Sequence, residues 1–161
     1  MFSNTYHFVN TWRVAAPPNE VWEALAHPGD YLKWWGKVYL DCEVLDPGEP
    51  RVGSRVRVKT KGWLPYILRW SIETTSLQKP SRIEFKAWGD FNTDHSYWEL
   101  TPEGNGTKAV LYWNPRVEKL FVKLFSPLLR PLFKSNHYWA MDQGQKNIEA
   151  YLQSLAKSRG K

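Results

Sequence analysis

Asp94 and His137 are the one acid and the one imidazole that the sequence can bring to a common place, and side by side they would form an acid–base pair. A carboxylate beside an imidazole orients the ring, tunes its pKa and lets it exchange protons near neutral pH. The bland counterpart is a histidine satisfied at a helix–sheet contact. The other histidines, His7, His27 and His95, are scattered along the chain without metal-ligand spacing. Cys42 is the only cysteine, so neither an intrachain disulfide nor a multi-cysteine metal site can form. No Gly-rich phosphate loop follows a strand, and no Gly-x-Ser-x-Gly elbow is present. The reading therefore expects no cofactor and no metal, and chemistry, if any, from Asp94 and His137.

What must position these residues is legible from periodicity. Residues 6–15 alternate apolar and polar side chains and read as a strand. In AAPPNEVWEALAHP the prolines open a helix, Val21, Trp22, Leu25 and Ala26 recur at helical spacing, and Pro28 stops it. DYLKWWG forms a second short helical turn. From residue 38 to 117 the period is two, in runs near 38–46, 53–62, 66–77, 82–90, 94–101 and 107–115. The separators are short and rich in Gly, Pro, Asn or Asp, and short connections require antiparallel neighbours. After Pro115 the helical period returns. VEKLFVKLF reads as a short helix, Ser126 and Pro127 as the cap and first residue of a new one, and Pro131 as a kink or a restart in it. The remainder is one long helix with Phe133, His137, Met141, Gly144, Ile148, Leu152 and Leu155 on a single stripe.

Successive side chains on a strand face opposite ways, so the charged positions mark the outside. Arg69 and Glu73 put Tyr66, Leu68, Trp70 and Ile72 inside; Glu84 and Lys86 put Ile83, Phe85 and Ala87 inside. Glu99 does the same for Asp94, Ser96, Trp98 and Leu100, and Lys108 for Ala109, Leu111 and Trp113. His95 then faces solvent unless a bulge intervenes. An apolar ligand is expected against Tyr66, Trp70, Phe85 and Ala87 from the middle strands. Trp98 and Trp113 from the last two, and Phe133, His137 and Met141 from the helix, complete that expected wall.

Charge and composition narrow the partners. The ten Trp, eight Tyr and seven Phe need a large aromatic interior. The chain carries a net +6, and all the excess lies after residue 115: residues 1–115 hold 13 Lys+Arg and 13 Asp+Glu, and residues 116–161 hold 9 and 3. Arg55, Arg57, Lys59 and Lys61 alternate with Val56, Val58 and Thr60, the pattern of a solvated strand face, so no nucleic-acid partner is expected. Basic residues interleaved with apolar ones over 116–134 could make transient contact with an anionic membrane. The apolar runs fall far short of a membrane span. The N-terminus lacks the charge and apolar blocks of a secretory signal, so a cytoplasmic address and one domain over residues 1–161 are expected.

The order of elements, with APPNEVWEALAHPGDYLKWW after the first strand, RVGSRVRVK and GWLPYILRW in the middle and PLLRPLFKSNHYWAM near the end, resembles the START/Bet v 1-like (SRPBCC) superfamily. Within it the chain looks most like the bacterial polyketide cyclase/dehydrase and lipid-transport type. The resemblance implies an α+β helix-grip fold: a seven-stranded curved antiparallel sheet around a long C-terminal helix, with two short helices after strand 1. It also implies a cavity between sheet and helix for a hydrophobic small molecule such as a lipid, polyketide, isoprenoid or aromatic. Its members include enzymes, so a cyclase or dehydratase acting on a polyketide-like substrate is the alternative to a binding protein, and an interaction module with a filled core is the third. Fold does not choose among them.

Overall fold

The computed structural model describes residues 5–118 and 120–159, with side chains described at 5–118 and 130–158. The order is β1 (Phe8–Val14), α1 (Pro18–Ala26), a 3-10 turn (Pro28–Asp30), α2 (Tyr31–Trp34), β2 (Tyr39–Val44) and β3 (Arg55–Thr60). β4 (Leu68–Gln78), β5 (Arg82–Gly89), β6 (Phe91–Glu103), β7 (Gly106–Trp113), β8 (Arg116–Val117) and α3 (Leu120–Arg159) follow.

The main sheet runs β1-β7-β6-β5-β4-β3-β2, with every neighbouring pair antiparallel. This is the expected seven-stranded grip. Its two edges, β1 and β2, are consecutive in sequence, so α1 and α2 must carry the chain from one edge to the other. Three register shifts, in β2–β3, β4–β5 and β5–β6, bend the sheet, because an extra unpaired residue kinks its strand and increases the twist. Gly89 closes the β5–β6 connection at φ +123°, where a Cβ would lie 2.7 Å from the Arg69 carbonyl oxygen and 2.8 Å from Trp70 Cα. β8 was not legible in advance: two residues pairing with Phe91 and Asn92 carry no period of their own.

Alternation places the faces. β1 buries Phe8, Asn10, Trp12 and Val14, and β3 buries Val56, Val58 and Thr60 while Arg55, Arg57 and Lys59 stay exposed. On that outer face Arg55 meets Asp46 at 2.8 Å and Arg57 meets Glu43 at 3.0 Å. Pairs this exposed are screened by water and contribute little. Their consequence is solubility of the face more than stability.

α3 differs from expectation at its start. It is helical without interruption from Leu120 to Arg159, so neither a new helix at Ser126 nor a restart at Pro131 is present. Each proline removes one i→i−4 hydrogen bond, and a helix can run through such a gap when adjacent turns are held by packing. The expected stripe is in place: Phe133, Met141, Ile148 and Leu152 are buried, and His137 and Leu155 are half-buried. α1 and α2 pack beneath the C-terminal part of this helix. Trp35 Nε1 donates to the Ala140 carbonyl at 2.8 Å, Trp22 Nε1 donates to the Arg82 carbonyl at 3.1 Å, and the Tyr31 hydroxyl donates to the Leu25 carbonyl at 2.6 Å. Indole and phenol groups of α1 and α2 thus tie the connector to the sheet, to the helix and to itself.

Candidate ligand-binding cavity

The sheet and α3 enclose a cavity of about 150 Å³. Its floor is the inner face of β4 to β7: Leu68, Trp70, Phe85, Trp98, Leu111 and Trp113. Phe133, His137 and Met141 of α3 form the roof, and Tyr6 and Phe8 at the start of β1 close one side. Gly62 and Tyr66 of the β3–β4 loop border it together with Asn136, whose Oδ1 accepts from Leu64 N–H at 2.9 Å. A Cβ on Gly62 would collide with that same carboxamide, so the residue lets loop and helix close on each other.

Aromatic contacts set the shape of the floor. Trp70 and Trp113 are 5.5 Å apart, Phe91 meets both edge-on at 5.5 and 5.7 Å, and Phe85 stacks on Trp113 at 5.9 Å. Trp70 Nε1 is satisfied by Thr60 Oγ1 at 2.9 Å, which leaves its rings free for apolar contact. Tyr66 reaches Phe133 edge-on across the rim. Of the nine residues expected to touch a ligand, Tyr66, Trp70, Phe85, Trp98, Trp113, Phe133, His137 and Met141 line this cavity. Ala87 does not. It faces inward and is buried, but its methyl is too short to reach past Ile72, its cross-strand partner, and Phe85, which form the wall there.

Asp94 is the larger correction. β6 carries one extra residue where Phe85 pairs with Ser96 and Ala87 pairs with Thr93. Thr93 and Ser96 therefore face inward while both Asp94 and His95 are exposed on the outside. His95 contacts Glu84 there, which holds the Glu84 carboxyl below its ordinary range. Inside, Ser96 Oγ accepts from Asn114 N–H at 3.1 Å and pairs with Thr93 Oγ1 at 3.0 Å. The proposed dyad of Asp94 and His137 is not assembled, because a bulge reverses the parity on which Asp94 was placed.

His137 has a different partner, and the strand pattern contained it. Asn10 is a polar residue at a buried, inward position of β1, and its Oδ1 accepts from His137 Nε2–H at 2.7 Å. The imidazole also stacks on Phe8 at 3.9 Å. Burial pushes the His137 pKa down to about 3, so the ring is neutral at physiological pH, the opposite of what a carboxylate neighbour would do. Burial also raises the Tyr39 and Tyr66 hydroxyls, keeping both uncharged. Among the described residues no carboxylate lines the cavity, and Lys61 on the loop is its one lysine or arginine.

A second depression beside α1 holds more open space, about 560 Å³, but its rim carries Glu20, Glu23, His27, Asp30 and Lys79. Several of these are already paired, Lys79 with Glu23 and His27 with Glu23 at 3.7 Å. No group of His, Cys, Asp and Glu able to hold a metal occurs among the described residues. The smaller apolar cavity is the better ligand site, since pockets are mainly apolar with a few polar groups.

A bent antiparallel sheet closed by one long helix over an aromatic cavity defines the helix-grip class of the START/Bet v 1-like superfamily. Within it, the sequence matches the family described as polyketide cyclase/dehydrase and lipid transport over residues 5–153, and the chain belongs to that family. Solved structures share the fold. The protein TTHA0849 of Thermus thermophilus is 24% identical over 91% of this chain and 99% of its own, with a TM-score of 0.68. The Zhui aromatase/cyclase of Streptomyces sp. R1128 is 17% identical over 92% and 94%, with a TM-score of 0.69. Ara h 8.0201 is 14% identical over 93% and 99%, with a TM-score of 0.65. No curated protein matches the sequence.

Proposed function

We propose that the protein binds a hydrophobic small molecule in the cavity between β4–β7 and α3, without itself carrying out a reaction. The observation that supports this best is the cavity: about 150 Å³ of space walled by Trp70, Trp98, Trp113 and Phe133. An engineered apolar cavity of roughly this volume stays dry and admits benzene. The enclosed part therefore suits one aromatic ring or a short branched chain. A longer lipid, polyketide or isoprenoid would extend past Tyr66 and Gly62.

Exposed Trp63 and Ile67 on the β3–β4 loop and Leu132 on α3 stand beside that rim with Lys61 and Lys134. This pairing of apolar tips and cations supports transient contact with an anionic membrane through the loop and residues 116–134; the side chains of 119–129 lie outside the described residues. The proposal places the protein in the cytoplasm, where its lone thiol needs no disulfide partner. The cyclase reading has lost its carboxylate, and His137 alone would have to carry it.

Native mass spectrometry of purified protein, with and without small aromatic probes, tests the binding reading. A saturable one-to-one complex is expected. An interior that accepts no apolar molecule at any concentration overturns it.

A further inference from the structure

His137 is half-buried on the cavity wall, and its two ring nitrogens have unlike surroundings. Nε2 is bound to Asn10 Oδ1, an oxygen that can only accept, so the proton sits on Nε2 and the lone pair on Nδ1. Nδ1 has no hydrogen-bond partner among the described residues. Nor is it sealed in, since Trp34 Nε1 is the one fully buried side-chain nitrogen or oxygen without a partner among them. The Phe8 ring lies flat against the imidazole at an interplanar angle of 21°, and with Asn10 it fixes both the plane and the rotation of the ring. The result is a neutral, oriented acceptor on a residue that lines the cavity.

We propose that His137 Nδ1 accepts a hydrogen bond from the ligand, and that the preferred ligand class is a neutral hydroxylated ring, a phenol or a compact cyclic alcohol. This rests on the binding reading above and adds its polar determinant. An apolar ring occupying the cavity leaves the lone pair unpaired and away from water, whereas a hydroxyl satisfies it. A buried polar group left without its partner costs about 1–3 kcal/mol, so the discrimination is about fivefold or more. Burial supports the same conclusion by keeping the ring uncharged above about pH 3, so the acceptor persists across the physiological range.

Other polar groups on the wall could claim the same role. The Tyr39 and Tyr66 hydroxyls also border the cavity. A phenol hydroxyl both donates and accepts, so these would take a carbonyl or ether as readily as an alcohol. His137 in this tautomer takes only a donor. Selection against the methyl ether is therefore the signature of the histidine.

Titration calorimetry with p-cresol, 4-methylanisole and toluene separates the cases, using wild type and the variants His137→Phe, Tyr39→Phe and Tyr66→Phe. Wild type is expected to bind p-cresol at least about fivefold more tightly than 4-methylanisole. In His137→Phe that ratio should fall toward one while toluene affinity changes less than threefold, and in both tyrosine variants the ratio should persist. In wild type the Nδ1 resonance in ¹⁵N-NMR should shift on adding p-cresol and not on adding toluene, a readout that does not depend on any variant folding. Toluene binding with no preference for p-cresol, or a preference lost with a tyrosine instead of His137, overturns this inference and leaves the binding reading standing. Failure of all three probes to bind overturns both.

Discussion

Toward its C-terminal end, at Gly144, α3 lies against Trp12 and Trp35 so closely that a Cβ would come within 2.6 and 2.7 Å of their rings, whereas at Phe133, His137 and Met141 the same helix leaves a cavity. Both halves are aromatic. In the closed half Trp12 meets Trp34, Trp35 and Trp98 at 4.9–6.2 Å and is 2% exposed. In the open half Trp70, Phe85, Phe91 and Trp113 pack as tightly against one another, but across from them stand a flexible Met141 and a histidine stacked on Phe8. The lesson is that aromatic content did not decide where space remained. What decided it was the residue the helix presents: glycine where the surfaces must touch, larger side chains where the helix is held off.

The largest predicted effect breaks the closed half. Trp12→Ala should lose about 4 kcal/mol of stability in urea unfolding, within the 3–5 kcal/mol typical of a buried Trp or Phe truncation. Trp113→Ala, whose ring already faces empty space, should lose less, about 3 kcal/mol, and widen the site, so that a naphthalene-sized probe binds where it did not before. Equal losses for the two, with no gain in the size of ligand accepted, would remove the distinction between the halves.

Next comes Gly144→Ala. On an exposed helix this exchange gains about 1 kcal/mol. Here overpacking against rigid indoles opposes it at about 1–3 kcal/mol, so a net loss of about 1 kcal/mol is expected by the same measurement. A net gain would show that the contact is looser than the distances imply.

The pH dependence of the open half sharpens the picture further. His137 is held neutral in the fold, with a pKa lowered from 6.5 to about 3, so between those values the unfolded chain binds the extra proton. Its contribution to stability is thus intact above pH 6.5, declines as pH falls, and is fully lost below about pH 3. His137→Phe, compared with wild type by urea unfolding at pH 7.5 and pH 5, should show a smaller fall in stability on acidification. Identical slopes would mean that the ring titrates normally. The smallest effect is expected outside both halves: Lys59→Ala on the convex face should change stability by less than about 0.5 kcal/mol and leave binding untouched.

Much of the fold was legible because both of its periods were uninterrupted over long stretches. The strands near 38–46 through 107–115, the proline-opened α1 and the apolar stripe of α3 each repeat one physical rule several times. The failures lie where one residue changes the rule. The extra residue in β6 turned Asp94 outward, since a single insertion reverses strand parity and no residue type at 93–96 announces it. Pro127 and Pro131 look like helix punctuation, yet the helix runs through both. Asn10 was visible as a polar residue on an apolar face, and read as a partner sought by another buried polar group it would have led to His137.

The account stands on the open half being a site and not merely a packing defect. A displacement titration with an apolar fluorophore, run on wild type and on Ala140→Leu, which replaces a methyl on the cavity wall with an isobutyl group, tests that most directly. The account predicts saturable one-to-one binding in wild type, displaced by p-cresol, and a loss of affinity of at least tenfold in Ala140→Leu with the fold intact. Unchanged affinity in the filled variant, or binding that never saturates, would contradict it.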